Sequence, residues 1–430
     1  MIESISFKNV FSFRDEVELS FEADDETATG AHVAIMPNGM RLLRLGIVLG
    51  ANASGKSNLL KAIDRLRSFW FREPKNMDSR TPIEPFLLDR DTPNQPSEYS
   101  IKFWTKGTRY WYQLSVTRNR VISEKLSYYK TTQPIFLFDR QLEGDQSVLR
   151  FNPKVQSVSA EEQKALSLYC LPNMSFFAAR GKVNTSLEYI DDARDWMRDS
   201  IMPLITPKTS LLQYGHHMLA ENADFKEHLL SFLYEADFNI TGLVSHVEER
   251  AIPEALRRSI MEDDEAPDEI KQRILERHTV PSRSLGFQHT VENERGRETY
   301  ELTSEQQSDG TRRTMGIEAA VYEAAKGNAF LCVDEMEASL HPDLLEYIIQ
   351  QFMLQEGEGQ LLFTTHYDPL LKTIDDLIRK DNVWFVEKQP SGSSDLYALI
   401  EFKGLNKMSA VSMMNAYRNG RFGALPEIKG

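Results

Sequence analysis

Apolar and polar positions alternate from Ile2 to Phe7 and again through Val17-Glu18-Leu19-Ser20-Phe21, the period of half-buried strands. Leu45-Gly46-Ile47-Val48-Leu49 is apolar throughout, as expected of a strand covered on both faces. From Asn58 to Trp70 the apolar residues Leu59, Leu60, Ile63, Leu66 and Phe69 recur at helical spacing. Between Tyr99 and Asn152 the chain turns β-rich. Ile101-Lys102-Phe103-Trp104, Tyr110-Trp111-Tyr112-Gln113-Leu114 and Ile135-Phe136-Leu137-Phe138 predict meander strands. Their alternating aromatics suit a pleated, half-buried sheet better than base stacking.

Ser159 to Arg277 predicts a mainly helical stretch, with apolar spacing in Ser186–Ile205 and Phe225–Phe238. Arg250 to His278 is dense in both charge signs, Glu262-Asp263-Asp264-Glu265 included, and reads as a solvated face or a lid. After Ser284 the alternation of strand and helix returns. Gly286–Thr290 and Thr299–Leu302 predict short strands, Thr311–Lys326 a helix, and Ala329–Val333 a buried strand. Asp343–Leu354 predicts a helix, and Gln360–Thr364 and Val383–Val386 further buried strands. Strands alternating with helices indicate an α/β fold with a mainly parallel sheet covered on both sides. The expected organisation is a first lobe over 1–157, a mainly helical insertion over 158–283, and a second lobe over 284–430. No heptad pattern is sustained long enough for a coiled-coil arm.

Composition narrows the function classes. Of 430 residues, 41% are hydrophobic and 27% charged, which excludes a disordered chain. Asp and Glu number 64 against 50 Lys and Arg, a net charge of −14, which argues against a surface coated with positive charge for nucleic acid. Two cysteines, Cys170 and Cys332, are too few for a disulfide framework or a four-thiolate metal site. The first residues lack a basic start and an apolar core, and no run of about 18 apolar residues occurs. The expectation is a cytoplasmic protein with no signal peptide and no membrane segment.

The strongest chemical signal is Gly50-Ala51-Asn52-Ala53-Ser54-Gly55-Lys56-Ser57, followed by Asn58, between a buried strand and a helix. This is a phosphate loop in its required context. Gly50 and Gly55 let the backbone wrap with N–H groups inward, and the helix start adds partial positive charge. Lys56 reaches the β- and γ-phosphates, and Ser57 offers its hydroxyl to Mg²⁺. A second signal is the apolar strand Ala329–Val333 ending in Asp334-Glu335. Two acids there are costly unless they meet a cation or a water. Asp334 fits the Mg²⁺ shell, and Glu335 fits the general base for an attacking water. The strand Leu361–Thr365 ends in His366, which after an Asp-Glu strand and one helix reads as a γ-phosphate sensor. Gln307-Ser308-Asp309-Gly310-Thr311 precedes the helix leading to the Asp-Glu strand. Ser308 caps that helix, and Gly310 lets a phosphate approach the backbone.

Phosphate loop, Ser308–Thr311 signature, Asp334-Glu335, Ala338-Ser339-Leu340-His341-Pro342 and Thr364-Thr365-His366 occur in the order of ATP-binding-cassette ATPases of the RecF/SMC/OLD type. The set most resembles bacterial AAA15/AAA21-type ATPases, including RloA-like, abortive-infection and other anti-phage proteins. Tyr417–Pro426 also resembles their usual ending. Asn9-Val10-Phe11-Ser12-Phe13-Arg14 resembles the family's turn near the adenosine, with Phe11 where an Arg is common. The resemblance covers both ends of the chain and leaves the middle unmatched.

It implies a cassette-ATPase head with an antiparallel β lobe and a helical insertion, binding ATP and Mg²⁺. Lys56, Glu335 and His366 would be catalytic, and Ser57 with Asp334 would hold the metal. Gly50, Asn52, Ala53, Ser54, Gly55, Lys56, Ser57 and Asn58 would cradle the nucleotide. Ser308 and Gly310 would serve the nucleotide of a second subunit, with Ser339 and His341 in the loop crossing the interface. Gln95 is the candidate for the metal-contacting glutamine. The implied protein is a homodimer, or a higher even oligomer, closing around ATP as a switch in anti-phage defence. It would control a separate nuclease or toxin, since the stretch after His366 is shorter than a typical domain of roughly 100 residues. The alternative is a RecF-like repair ATPase that binds DNA directly, a reading the charge balance does not favour.

Overall fold

The computed structural model describes every residue except 25–29, 145, 237, 252, 253, 255, 256, 259, 260, 262–278 and 427–430. The chain divides into two units, Met1–Thr209 with Val321–Gly430, and Ser210–Ala320.

The first unit opens with β1 (Ile2–Lys8), β2 (Val17–Ser20), β3 (Val33–Ile35), β4 (Arg41–Leu43) and β5 (Leu45–Leu49). Helix α1 (Lys56–Phe71) follows, then the meander β6 (Ser97–Thr105), β7 (Thr108–Val116), β8 (Val121–Tyr129), β9 (Pro134–Glu143) and β10 (Gln146–Phe151). The meander joins β1 and β2 in an antiparallel sheet of order β10-β9-β8-β7-β6-β1-β2. Its apolar positions alternate as the sequence requires, with Ile101, Phe103, Tyr110, Tyr112, Leu114, Leu126 and Phe138 all buried.

Helices α2 (Ala160–Tyr169), α3 (Phe176–Arg180) and α4 (Glu188–Asp199) follow the meander. The Trp196 ring stacks on Phe103 at 4.1 Å, Phe176 meets Phe138 at 4.2 Å, and Phe177 meets Tyr112 at 5.7 Å. Trp70 of α1 meets Tyr112 edge-on at 5.7 Å. The contacts therefore assign residues 158–209 to the first unit, where the sequence reading had an insertion beginning. The aromatic face of the sheet needs cover, and these helices supply it.

Helical spacing predicts Ser186–Ile205 as one element, but α4 ends at Asp199. Ile201 and Ile205 instead bridge Phe330 and Val333 in parallel. Met202 N–H donates to the Phe330 carbonyl at 2.9 Å, and Asp334 N–H to the Ile205 carbonyl at 2.7 Å. A strand edge with unpaired backbone groups recruits this segment, and that pairing outweighs local periodicity.

The second unit holds α5 (Leu212–Glu221), α6 (Ala223–Glu235), β11 (Gly242–Ala251), β12 (Thr279–Asn293), β13 (Gly296–Thr303) and the first part of α7 (Asp309–Lys326). β11, β12 and β13 form an antiparallel sheet. Gly286–Thr290 and Thr299–Leu302 therefore belong to a hairpin, not to the parallel sheet. Asn293 pairs Gly296 across a two-residue loop, a connection that only antiparallel strands permit. Leu243, Leu285, Phe287, Phe225, Leu229, Phe232 and Leu233 are buried in this unit. The charge-dense run containing Glu262–Glu265 lies outside the described residues.

The first unit resumes with β14 (Phe330–Val333), α8 (Pro342–Leu354), β15 (Gln360–Thr364), β16 (Val383–Lys388), β17 (Ser394–Ala398) and α9 (Ala410–Arg418). With β5 they make a second sheet of order β14-β15-β5-β16-β17. Its first four strands are parallel, and β17 is antiparallel. The fold is thus α/β: a mainly parallel sheet with helices, and an antiparallel β lobe beside it. Gln360 ties the two sheets. Its amide accepts Ile2 N–H at 2.6 Å and donates to the carbonyls of Ile2 and Leu43. Cys170 and Cys332 are buried and unpaired, and burial raises both thiols above their usual value, Cys170 to about 11. Among the described residues, no helix is long and apolar enough to cross a membrane.

The β lobe encloses a fully buried ion pair, Arg140 Nη1 to Glu124 Oε2 at 3.1 Å, with both side chains at most 1% exposed. Glu124 also accepts the Tyr112 hydroxyl at 2.9 Å, the Ser175 hydroxyl at 2.5 Å and Phe176 N–H at 2.8 Å. Arg140 also donates to the carbonyls of Leu171 and Met174. Removing one partner leaves an uncompensated buried charge. We predict that Arg140→Leu costs roughly 3–5 kcal/mol in denaturant unfolding; a cost under 1 kcal/mol would show the pair to be dispensable.

Candidate nucleotide site

β14, β15 and β5 are parallel neighbours, so their carboxyl ends lie side by side. That edge is where open α/β sheets bind ligands. β5 delivers the loop Gly50–Gly55 and the start of α1; β14 delivers Asp334 and Glu335; β15 delivers Thr364 and His366.

Two glycines are required by space. A side chain at Gly50 would collide with the Val386 carbonyl oxygen and approach Ser54 Oγ to 2.9 Å. Gly55 has φ +119°, and a Cβ there would collide with Ser394 Oγ and lie 2.7 Å from Ser12 Oγ. Asn52 and Ala53 are exposed at the loop tip, with Ala53 left-handed at φ +60°. Ser54 is buried, and Asn58 lies half-buried in the first turn of α1.

Lys56 is buried, and its ammonium donates to the Gly50 carbonyl at 2.7 Å and the Ala51 carbonyl at 3.0 Å. Burial pulls it down to about 8, against the opposing pull of Glu337, Asp334 and Glu335. Ser57 Oγ donates to Asp334 Oδ1 at 3.0 Å, and Thr364 Oγ1 donates to the same oxygen at 2.7 Å. Thr364 Oγ1 also accepts Glu335 N–H at 2.8 Å, which holds Glu335 in a left-handed conformation of φ +48°. Such backbone persists only where surrounding contacts impose it, and it clusters at functional sites. His366 N–H donates to Glu337 Oε1 at 2.6 Å. Partial burial and the Lys56 charge hold the His366 ring below its usual value, opposed by Glu337, Glu335 and Asp334.

The predicted phosphate-loop residues, Asp334, Glu335 and His366 are therefore gathered at one sheet edge. Oxygen donors from Ser57 and Asp334 at hydrogen-bonding distance suit a hard cation such as Mg²⁺, which also takes phosphate oxygens and waters. Ser308 and Gly310 lie in the second unit. Ser308 Oγ accepts Thr311 N–H at 3.0 Å and so caps α7, and Gly310 O accepts the Thr314 hydroxyl. Ser339 is exposed and left-handed at φ +65°, and the His341 ring caps α8 by accepting Asp343 N–H. Gln95 is exposed, and its carbonyl, not its side-chain amide, engages Asn9 Nδ2 at 3.1 Å.

Four residues of the site escaped sequence reasoning. Thr364 lay inside a quoted motif, but nothing in its spacing showed that its hydroxyl reaches Asp334. Glu337 follows the Asp-Glu pair by two and was not singled out. Ser12 sits in the turn that resembles the family's adenosine turn, and Ser394 carries no local signal. Ser394 N–H donates to the Ser12 carbonyl at 2.7 Å, and the Ser394 hydroxyl donates to the carbonyl of Ser54 and lies 2.9 Å from Ser12 Oγ, whose hydroxyl it can accept. The phosphate loop is thus held from behind by both ends of the first unit.

The fold and the phosphate loop mark the class as a nucleotide-binding AAA-type domain. The chain belongs to the family described as "AAA domain, putative AbiEii toxin, Type IV TA system", which matches residues 47–159 and 220–371, more than half of its length. No curated protein matches the chain in sequence. Among solved structures, an SMC head domain from Thermotoga maritima is similar at 12% identity and TM-score 0.43, covering 92% of this chain and 98% of that one. An Smc head with an extended coiled coil, bound to the C-terminal domain of ScpA from Pyrococcus furiosus, is similar at 12% identity and TM-score 0.38, covering 98% and 99%.

The serine clamp yields a prediction. Ser394→Ala leaves the Ser54 carbonyl without its donor, a loss worth about 1–3 kcal/mol at a buried group. Fluorescent-nucleotide titration should read affinity weakened on the order of tenfold, with unchanged circular dichroism. Unchanged affinity would sever the clamp from nucleotide binding.

Proposed function

We propose that the chain hydrolyses ATP to ADP and phosphate with Mg²⁺ and uses the cycle as a switch. The observation carrying this reading is the joint hold on Asp334 by Ser57 and Thr364, with Glu335 beside it in strained backbone. In this reading Ser57 and Asp334 hold Mg²⁺, which when bound neutralises charge on the phosphate oxygens. Lys56 leaves the Gly50 and Ala51 carbonyls to bind phosphate. Glu335 takes the proton of the attacking water, and His366 contacts the γ-phosphate. Ser308 and Gly310, at the exposed start of an 18-residue helix, meet the nucleotide of a second copy, where the helix dipole favours an anion. The active assembly is then a homodimer with two ATP molecules between its heads.

The family description, with its AbiEii toxin and toxin–antitoxin terms, supports a place in bacterial anti-phage defence. There the ATP-bound dimer controls a separate effector, a nuclease or toxin, that does the damage.

Lys56→Ala should weaken nucleotide binding. Glu335→Gln should keep binding and slow hydrolysis by about 10²–10⁴-fold, as loss of a general base does. A Glu335→Gln chain turning over at the wild-type rate would refute the base assignment.

Mixing Lys56→Ala chains with Ser308→Arg chains tests the shared site. Each variant alone should be inactive, and the mixed dimer carries one site with both defects and one with neither. Phosphate release should reappear in the mixture. If heterodimers form and no activity returns, the sites are not shared as proposed.

A further inference from the structure

Glu337 is a carboxylate acting on the phosphate-loop lysine that the functional reading leaves without a task. Its Oε1 is occupied by the His366 N–H at 2.6 Å. Its Oε2 is shielded from solvent and has no hydrogen-bond partner among the described residues. Leaving an acceptor buried and unpaired costs free energy, and such groups are uncommon unless a ligand or water completes them. The backbone beside it is built to hold it there. Met336 N–H donates to the Thr364 carbonyl at 3.0 Å, so the chain after β14 is stitched to β15 on both sides of Glu335. Glu337 is also the acid acting most strongly on Lys56, ahead of Asp334 and Glu335.

We propose that Glu337 is a second catalytic carboxylate, whose free Oε2 accepts a hydrogen bond from the water that attacks the terminal phosphate. The inference rests on the hydrolytic reading above. The step balances. The water oxygen bonds to the terminal phosphorus while the bond to the bridging oxygen breaks, its electron pair leaving with ADP. One water proton passes to Glu335, and the other O–H points to Glu337 and stays on the phosphate formed. Two acceptors orient a water that one acceptor leaves free to rotate, and orientation is worth rate. By holding the His366 N–H through its other oxygen, Glu337 also places the water and the histidine from one side chain.

The test is Glu337→Gln beside Glu335→Gln in the full-length chain. Glutamine keeps an oxygen for the His366 N–H and puts an amide donor where Oε2 was. Expected for Glu337→Gln are unchanged thermal unfolding, ATP affinity equal to or tighter than wild type, and kcat lowered at least tenfold. Glu337→Asp, which keeps the charge on a shorter arm, should recover part of that rate. Wild-type kcat in Glu337→Gln overturns the proposal. So does a loss of nucleotide affinity with kcat preserved, which would make Glu337 a support for Lys56. If Glu335→Gln keeps full rate while Glu337→Gln loses it, the base assignment to Glu335 fails and the role of Glu337 stands.

Discussion

One carboxylate oxygen organises this molecule. Asp334 Oδ1 accepts the Ser57 hydroxyl from the first turn of α1 and the Thr364 hydroxyl from the end of β15. Three elements distant in sequence are thereby brought to a single atom. A buried acid is costly unless its oxygens are satisfied, so the strand end, the helix start and the neighbouring strand must arrive together. Thr364 then accepts the next backbone N–H, that of Glu335, and carries the constraint from the proposed metal ligand to the proposed base.

The surroundings keep that meeting point rigid. Gln360, at the start of β15, bonds to both sides of the β1 backbone, so the strand ending in Thr364 is anchored to the antiparallel lobe at its other end. α1 carries Ser57 at one end and Trp70 at the other, where the indole meets Tyr112 of the meander. The loop between β5 and α1 is clamped by Ser12 and Ser394. Gln360, Ser12, Ser394 and Trp70 are all buried, and hydrogen bonds made in such low-dielectric surroundings hold their partners more firmly than in water.

The second unit contributes differently. Its antiparallel sheet and paired helices form a small core of their own, and α7 runs from the Ser308 cap in this unit to Lys326 in the first. Within it, His228 bonds Glu318 of α7 at 2.7 Å. The helix bearing the signature residues is therefore held by α6 of its own unit.

Much of this was legible in one dimension. The phosphate loop, the Asp334-Glu335 strand end and His366 announced themselves because phosphate binding needs glycines, a lysine and acids at fixed local spacing. The strands Leu45–Leu49 and Gln360–Thr364 showed as continuous apolar runs because both faces of a parallel sheet are covered. Tertiary structure decided what local pattern could not. Ile201–Ile205 became extended because the open edge of β14 needed partners, and α2–α4 joined the first unit because an aromatic sheet face needed cover. Thr364, Ser12, Ser394 and Glu337 acquired their places only through hydrogen bonds to residues far along the chain. A hydroxyl or a lone carboxylate carries no periodicity of its own, and only folding chooses its partner.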